Sequence, residues 1–310
     1  MHHGFFKLGL LGDNTEMIYP EARAAGDESL ILFHSGGEWA EQIGAILPDK
    51  APIAAARHYY RFRQPRDDWR NLLPAGFTLR GVNAAFLTAP RANRDALLDK
   101  LCSEQPSAED FLARSFGLCP VAADAGAASG EIAGWCLSEY NTGDCCEVGI
   151  ATLAPHQRRG LATATGLAFC ELAHARGIRQ IGWHCFAANR PSVATALKIG
   201  FELAAERQAY MAWYDEAENM AANGNSRLWR GEYAAATAWF DAAFAHGVDQ
   251  AWAYWGAACA AAMQGERAAA FRHLRQAMAR GFADRERIRK TEYLASLRDT
   301  PEWAALVGPS

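Results

Sequence analysis

Gln157-Arg158-Arg159-Gly160-Leu161-Ala162 lies between a strand-like run and a long helical run, and its reading decides the fold of the middle of the chain. Upstream, Glu131 to Tyr140 reads as a strand and Asn141-Thr142-Gly143-Asp144 as a turn. Cys145 to Leu153, rich in Val and Ile, completes a hairpin. Pro155 to Ala162 is then a loop, and Thr163 to Arg176 a helix closed by Gly177. A loop entering a helix presents backbone N–H groups without helical acceptors, at the positive end of the helix dipole. The bland alternative for the same residues is a solvated basic helix start. Gln180 to Phe186 continues as a strand, Ser192 to Ile199 as a short helix, and Phe201 to Tyr214 as a final hairpin-like pair.

Working outward toward the N-terminus, Ser29 to His34 reads as a short buried strand, Gly37 to Ile46 as a helix and Ile53 to Phe62 as a strand. Pro48, Pro52, Pro65 and Pro74 punctuate this region. Arg94 to Cys102 and Ala108 to Phe116 read as helices, with Ser107 in N-cap position for the second. No catalytic signature stands out in the first 120 residues.

Toward the C-terminus the chain repeats itself. Gly231-Glu232-Tyr233-Ala234-Ala235-Ala236 is matched thirty-four residues later by Gly265-Glu266-Arg267-Ala268-Ala269-Ala270. Phe240 then aligns with Leu274, Ala243 with Ala277, Phe244 with Met278 and Gly247 with Gly281. These residues resemble the tetratricopeptide (TPR) family, whose period is the same and whose helix pairs stack through small residues. Gln250 to Met263 and Glu266 to Arg280 would be the two helices of the second repeat, and Asp215 would begin the first repeat helix directly. Thr291 to Val307, with Leu294, Leu297, Trp303 and Leu306 at helical spacing, suits a terminal capping helix. An Ala-rich hairpin that merely closes the preceding domain is the competing reading.

A chain of 310 residues is long enough for two or three folding units. Its net charge of -4 gives no bulk case for nucleic acid or an anionic membrane. Met1 to Leu11 lacks the features of a secretory signal, and no run reaches the roughly 20 apolar residues of a membrane span. A cytoplasmic protein is the expectation. The cysteines at 102, 119, 136, 145, 146, 170, 185 and 259 lack C-x-x-C spacing and read as reduced, mostly core residues rather than metal ligands. His2 and His3 are too few to read as a metal site.

Gln157 to Ala162 resembles the fingerprint Gln/Arg-x-x-Gly-x-Gly/Ala of the GNAT superfamily of N-acetyltransferases, in which the loop holds the pyrophosphate of acetyl-coenzyme A. Two further stretches extend the resemblance over about 85 residues. Glu147-Val148-Gly149-Ile150-Ala151-Thr152 is similar to the strand that the family splays open to pair with the pantetheine arm. Asn189-Arg190-Pro191-Ser192, with Lys198-Ile199-Gly200-Phe201, is similar to the next family signature and its K-x-G-F ending. The first 120 residues broadly resemble the N-terminal extension of a bacterial subgroup that includes zwittermicin-resistance acetyltransferases.

The resemblance implies an α+β fold, with a mixed and mainly antiparallel sheet flanked by helices, followed by an all-α TPR-like repeat domain. The implied boundaries are 1–125 for the N-terminal extension, 126–214 for the catalytic domain and 215–310 for the repeats. It implies acetyl-CoA as co-substrate and no metal. Backbone groups of Thr152, Leu153 and Ala154 would pair with pantetheine; Arg158, Arg159, Gly160, Leu161, Ala162 and Thr163 would hold the pyrophosphate. Asn189 and Ser192 would lie near the thiol end, although Ser192 could equally be a helix cap.

Glu147 occupies the place where some members carry a general base, acting directly or through water; an edge-strand glutamate facing solvent is the alternative. Many members place a tyrosine acid four residues ahead of the K-x-G-F glycine, where this chain has Ala196. Tyr210, Tyr140 and His184 are the substitutes, unless positioning alone suffices. His184 between Trp183 and Cys185 could also be a packed histidine, and His156 could simply flank the loop. The acceptor is expected to be a small-molecule amine, attracted by carboxylates such as Asp67, Asp68, Glu139 and Asp144. A protein or peptide partner recruited by the TPR-like region, or an acyl-CoA sensor without turnover, are the competing functions; neither nucleic acid nor membrane is expected as a partner.

Overall fold

The computed structural model describes residues 29–33, 37–63, 68–123 and 130–308. His2, His3, Met1 to Leu11, His34, Pro65 and Asp67 lie outside them. The described residues form two compact units, one of the residues up to Ala54 together with those from Tyr210 onward, the other of Ala55–Ala209. In the first unit, β1 (Ser29–Phe33) and α1 (Gly37–Ile46) precede β2 (Ile53–Phe62), a strand that runs on into the second.

The second unit continues with α2 (Trp69–Leu72), β3 (Phe77–Gly81), α3 (Ala84–Thr88), α4 (Arg94–Glu104) and α5 (Ala108–Arg114). Then come β4 (Gly117–Ala122), β5 (Glu131–Ile132), β6 (Gly134–Thr142), β7 (Cys145–Thr152), α6 (Leu161–Ala175), β8 (Gln180–Phe186), α7 (Arg190–Ile199) and β9 (Phe201–Trp213). The strands lie in the order β9-β2-β8-β7-β6-β4-β3, with β5 on β4. The β2–β8, β3–β4, β4–β6 and β6–β7 pairs are antiparallel, and β7–β8 is parallel.

Alternation along the strands divides the core in two. Tyr60, Cys136, Cys146, Ile181, Trp183, Cys185 and Phe201 pack with Leu167, Phe169 and Cys170 of α6 and with Ala196 and Ile199 of α7. Cys119, Val121, Trp135 and Leu137 pack with Phe86, Leu97, Leu101 and Phe111 from α3, α4 and α5. Six of the eight cysteines are buried and all eight are free thiols. Burial pushes Cys146 up to about 12, so it behaves as a small apolar side chain.

The sequence-expected elements at 37–46, 53–62 and 180–186 have the observed bounds, and Ser107 caps α5 by accepting from Asp110 N. Strands β3 and β4 were not expected. The expected pair over Phe201 to Tyr214 is instead one strand of thirteen residues.

In the first unit, α8 (Glu216–Trp229) and α9 (Tyr233–Ala245) form one helical hairpin, α10 (Ala251–Met263) and α11 (Arg267–Ala279) a second. Asp215 caps α8 through Glu218 N at 2.8 Å. Asn219 fastens that helix to its unit: Oδ1 accepts from Trp213 N at 3.0 Å and Nδ2 donates to Lys50 O at 2.6 Å. After α12 (Arg285–Lys290), the expected single helix over Thr291 to Val307 is a 3₁₀ segment, Glu292–Leu297, followed by α13 (Pro301–Val307). Pro301 has no N–H to continue a helix, and Thr300 Oγ1 accepts from Trp303 N at 3.2 Å to begin a new one. No helix of the described residues is long and apolar enough to cross a membrane.

Phe240 is fully buried and its ring fills notches left by Gly224 and Gly256 on the adjoining helices. A methyl group at Gly224 would stand 2.9 Å from Phe240 Cδ1, and one at Gly256 would overlap Cζ. Phe240→Ala removes this packing and is expected to cost the helical unit about 3–5 kcal/mol. Urea unfolding of the full chain, followed by far-UV circular dichroism, checks this; a loss under about 1 kcal/mol would mean that the ring does not anchor the hairpins.

Candidate active site

The parallel pairing of β7 with β8 places Cys145 opposite Gln180, Cys146 opposite Ile181 and Glu147 opposite Gly182, and reaches no further among the described residues. Beyond that point each strand stays with its outer neighbour. β7 remains on β6 to the pair Gly134–Thr152, and β8 remains on β2 to the pair Arg57–Phe186. The inner edges of Val148–Thr152 and Trp183–Phe186 therefore diverge. Backbone N–H and C=O groups along such edges require partners, and an extended chain bearing amides can supply them in the manner of an added strand.

Thr152 O accepts from Gln157 Nε2 at 2.9 Å, which ties the end of β7 to the loop that follows. This gives the first residue of the loop motif a physical role that the sequence reading left open. Ala154–His156 is a 3₁₀ turn, Arg158 has φ 62°, and Gly160, at φ 85°, stands at the N-cap of α6 without offering a side-chain acceptor. The first helical bond is Ala164 N to Gly160 O at 3.1 Å, so Leu161, Ala162 and Thr163 have N–H groups with no helical acceptor. α6 thus starts two residues earlier than expected, which brings its free amides into the motif itself.

Gln157, Arg158, Arg159 and Gly160 are exposed, and nothing stands within 4 Å of where a Gly160 Cβ would be. His156 is buried beneath them, 3.3 Å from Glu131 and edge-on to Phe77 at 5.7 Å, and so packs the underside of the loop.

The register aligns a second set of groups on one face of the sheet. Glu147 lies opposite Gly182, His184 follows two residues along, and Tyr59 of β2 lies opposite His184. Glu147 Oε2 is 3.2 Å from His184 Nδ1. The Tyr59 and Tyr140 rings stand 6.1 and 6.2 Å from the His184 ring. Tyr140 gets there through a register shift between Glu139 and Thr142, where its φ is 50°. On β2, Arg57 is buried, with its guanidinium 4.5 Å over the Phe186 ring; burial lowers its pKa.

Glu139 is the cross-strand partner of Glu147 and pairs with Lys100 at 2.9 Å. Asp144 sits at the hairpin turn and pairs with Arg179 at 3.5 Å, while Asp68 precedes α2.

Asn189, rather than Ser192, caps α7, its Oδ1 accepting from Ser192 N at 3.2 Å. The Ser192 hydroxyl instead accepts from Trp183 Nε1 at 3.1 Å. Ala196 is fully buried in the α6–α7 core, so the site has no acid at that position. Tyr210 belongs to β9 within the first unit.

A methyl group at Gly182 would overlap the Glu147 carboxylate. Gly182→Ala is therefore expected to displace that carboxylate and lower kcat/KM by about tenfold or more, with a melting temperature within a few degrees of wild type, because the end of the Glu147 side chain can swing aside. Steady-state kinetics beside a thermal melt test this. A variant with wild-type kinetics would mean that the Glu147 position is irrelevant.

The sequence pattern of a family described as GNAT acetyltransferase matches residues 4–210. Among curated proteins, the chain is 24% identical over 193 residues to the uncharacterized N-acetyltransferase YdfB of Bacillus subtilis (strain 168), covering 62% of this chain and 69% of that protein. Among solved structures, a GCN5-related N-acetyltransferase-like protein from Streptococcus suis 89/1591 is similar at 22% identity and TM-score 0.45, over 59% of this chain and 71% of that one. A GCN5-related N-acetyltransferase from Sphaerobacter thermophilus is similar at 16% identity and TM-score 0.41, over 60% and 59% of the respective chains.

Proposed function

The chain belongs to the GNAT acetyltransferase family, whose members use acetyl-CoA, and on that premise we propose that it transfers acetyl from acetyl-CoA to a primary amine of a small molecule in the cytoplasm. The divergence of β7 from β8 directly ahead of the unpartnered N-terminus of α6 carries this reading. Such a cleft suits the amides of pantetheine, and the helix N-terminus suits a pyrophosphate.

In this reading the backbone of Thr152, Leu153 and Ala154 lines the pantetheine arm. Amides from Arg158 to Thr163 hold the phosphates, Arg158 and Arg159 add charge, and Asn189 and Ser192 border the thiol end. Glu147 serves the departure of the amine proton, and Tyr210 is the proton donor for sulfur. Residues 126–214 carry the coenzyme site, and the N-terminal region contributes to the acceptor pocket.

A thiol-release assay with acetyl-CoA against a panel of small amines and peptides tests the reading. Turnover on a small amine is the expected result. Coenzyme binding without turnover on any acceptor would replace it with an acyl-CoA sensor.

A second reading makes residues 215–310 a TPR-like module that recruits a peptide substrate. One observation favours it: Trp229 and Met263, thirty-four residues apart at the ends of α8 and α10, are 72% and 40% exposed. Turnover confined to peptides, and weakened by Trp229→Ala, would establish it.

A further inference from the structure

Resting on the acetyl-transfer reading, we infer that His184 Nε2 is the atom that takes the proton from the acceptor's ammonium group, and that Glu147 is the positioning residue that holds the imidazole ready. Glu147 is the last residue of β7 paired with β8, and its carboxylate lies over Gly182, which has no side chain to obstruct it. From there Oε2 reaches His184 Nδ1 at 3.2 Å. An ionised carboxylate only accepts hydrogen bonds, so Nδ1 carries the proton and Nε2 keeps its lone pair.

The Tyr59 and Tyr140 rings stand beside the His184 ring at 6.1 and 6.2 Å. The pair is open to a substrate: the side chains of His184 and Glu147 are 23% and 31% exposed. This differs from the use of Glu147 itself as the base. Intrinsic basicities favour the imidazole, since an alkylammonium proton moves to a carboxylate against about six powers of ten and to an imidazole against about four.

The bookkeeping of the reaction is complete with this assignment. Nε2 receives one proton from the ammonium group and releases it to solvent. The amine lone pair forms the C–N bond at the thioester carbon, and the C–S bond breaks with its electrons on sulfur. The second nitrogen proton ends on that sulfur, giving the amide and free CoA thiol. With Ala196 buried at the position of the family's tyrosine, the Glu147–His184 pair stands where the β7–β8 pairing ends, with the Tyr59 and Tyr140 rings beside it.

The test is ¹⁵N NMR of ring-labelled histidine in the full chain, with and without CoA, for wild type and Glu147→Gln. The expected spectrum has His184 protonated at Nδ1 and bare at Nε2, with the Nε2–H tautomer gaining population in Glu147→Gln. An Nε2–H tautomer in the wild type, or no change in the variant, overturns the inference. Kinetics give the second arm. On the best amine of the panel, His184→Gln should lower kcat/KM about 100-fold, flatten the acid limb of its pH profile and leave the CoA dissociation constant within twofold. A variant that keeps both the rate and the limb overturns it. The NMR arm needs no acceptor, so a wild type that neither binds CoA nor releases thiol defeats the acetyl-transfer reading and the base role with it, while the tautomer separately decides whether Glu147 positions the ring.

Discussion

Gly160→Glu is expected to weaken CoA binding at least about 100-fold, or about 3 kcal/mol, in a calorimetric titration of the full chain. Nothing lies within 4 Å of the new Cβ, so the side chain has open space at the helix start that carries the Leu161, Ala162 and Thr163 amides. Its charge opposes a phosphate where the helix dipole would attract one. The backbone angle of φ 85° strains any L residue by about 1–2 kcal/mol. A carboxylate at the start of a helix returns about 0.3–1 kcal/mol of that, so the variant should remain folded. Wild-type CoA affinity in a folded Gly160→Glu protein would remove the loop from the coenzyme site.

Glu147→Gln is expected to lower kcat/KM by about 10–100-fold, with CoA affinity unchanged. The substitution keeps the shape of the side chain but removes the charge that faces His184 Nδ1. Because the carboxylate is partly exposed, its contact with His184 contributes little to stability, and the melting temperature should move by no more than a few degrees. The thiol-release assay on the best acceptor measures the loss. Activity within threefold of wild type would leave Glu147 as a sheet glutamate with no part in the reaction.

The elements that carry local signals were legible in the sequence. The Gly160 loop, the helix closed by Gly177 and the Gln180–Phe186 strand follow from glycine positions and hydrophobic periodicity. Strand β4 was not legible because Pro120 sits within it, and a proline argues against a strand with neighbours on both sides. The length of β9 was hidden by its run of polar and alanine residues, which reads as a turn between two short strands.

The site was legible only in part, for a physical reason. Glu147 and His184 are 37 residues apart, and only the parallel register of β7 and β8 sets them on one face. The strand alternation places Tyr140 on the opposite face from Glu139, and the bulge overrides it. A hydrogen-bond partner likewise decided between Asn189 and Ser192 as the helix cap: both residue types suit the role, and the Trp183 indole holds Ser192 elsewhere.

The proposed coenzyme site at the β7–β8 divergence and the α6 N-terminus is tested most directly by titrating CoA into the wild-type full chain in a calorimeter. Saturable binding with one CoA per chain, competed by acetyl-CoA, is the predicted result. A flat titration at protein concentrations that detect micromolar affinity would contradict the proposed site and the acetyl-transfer reading built on it.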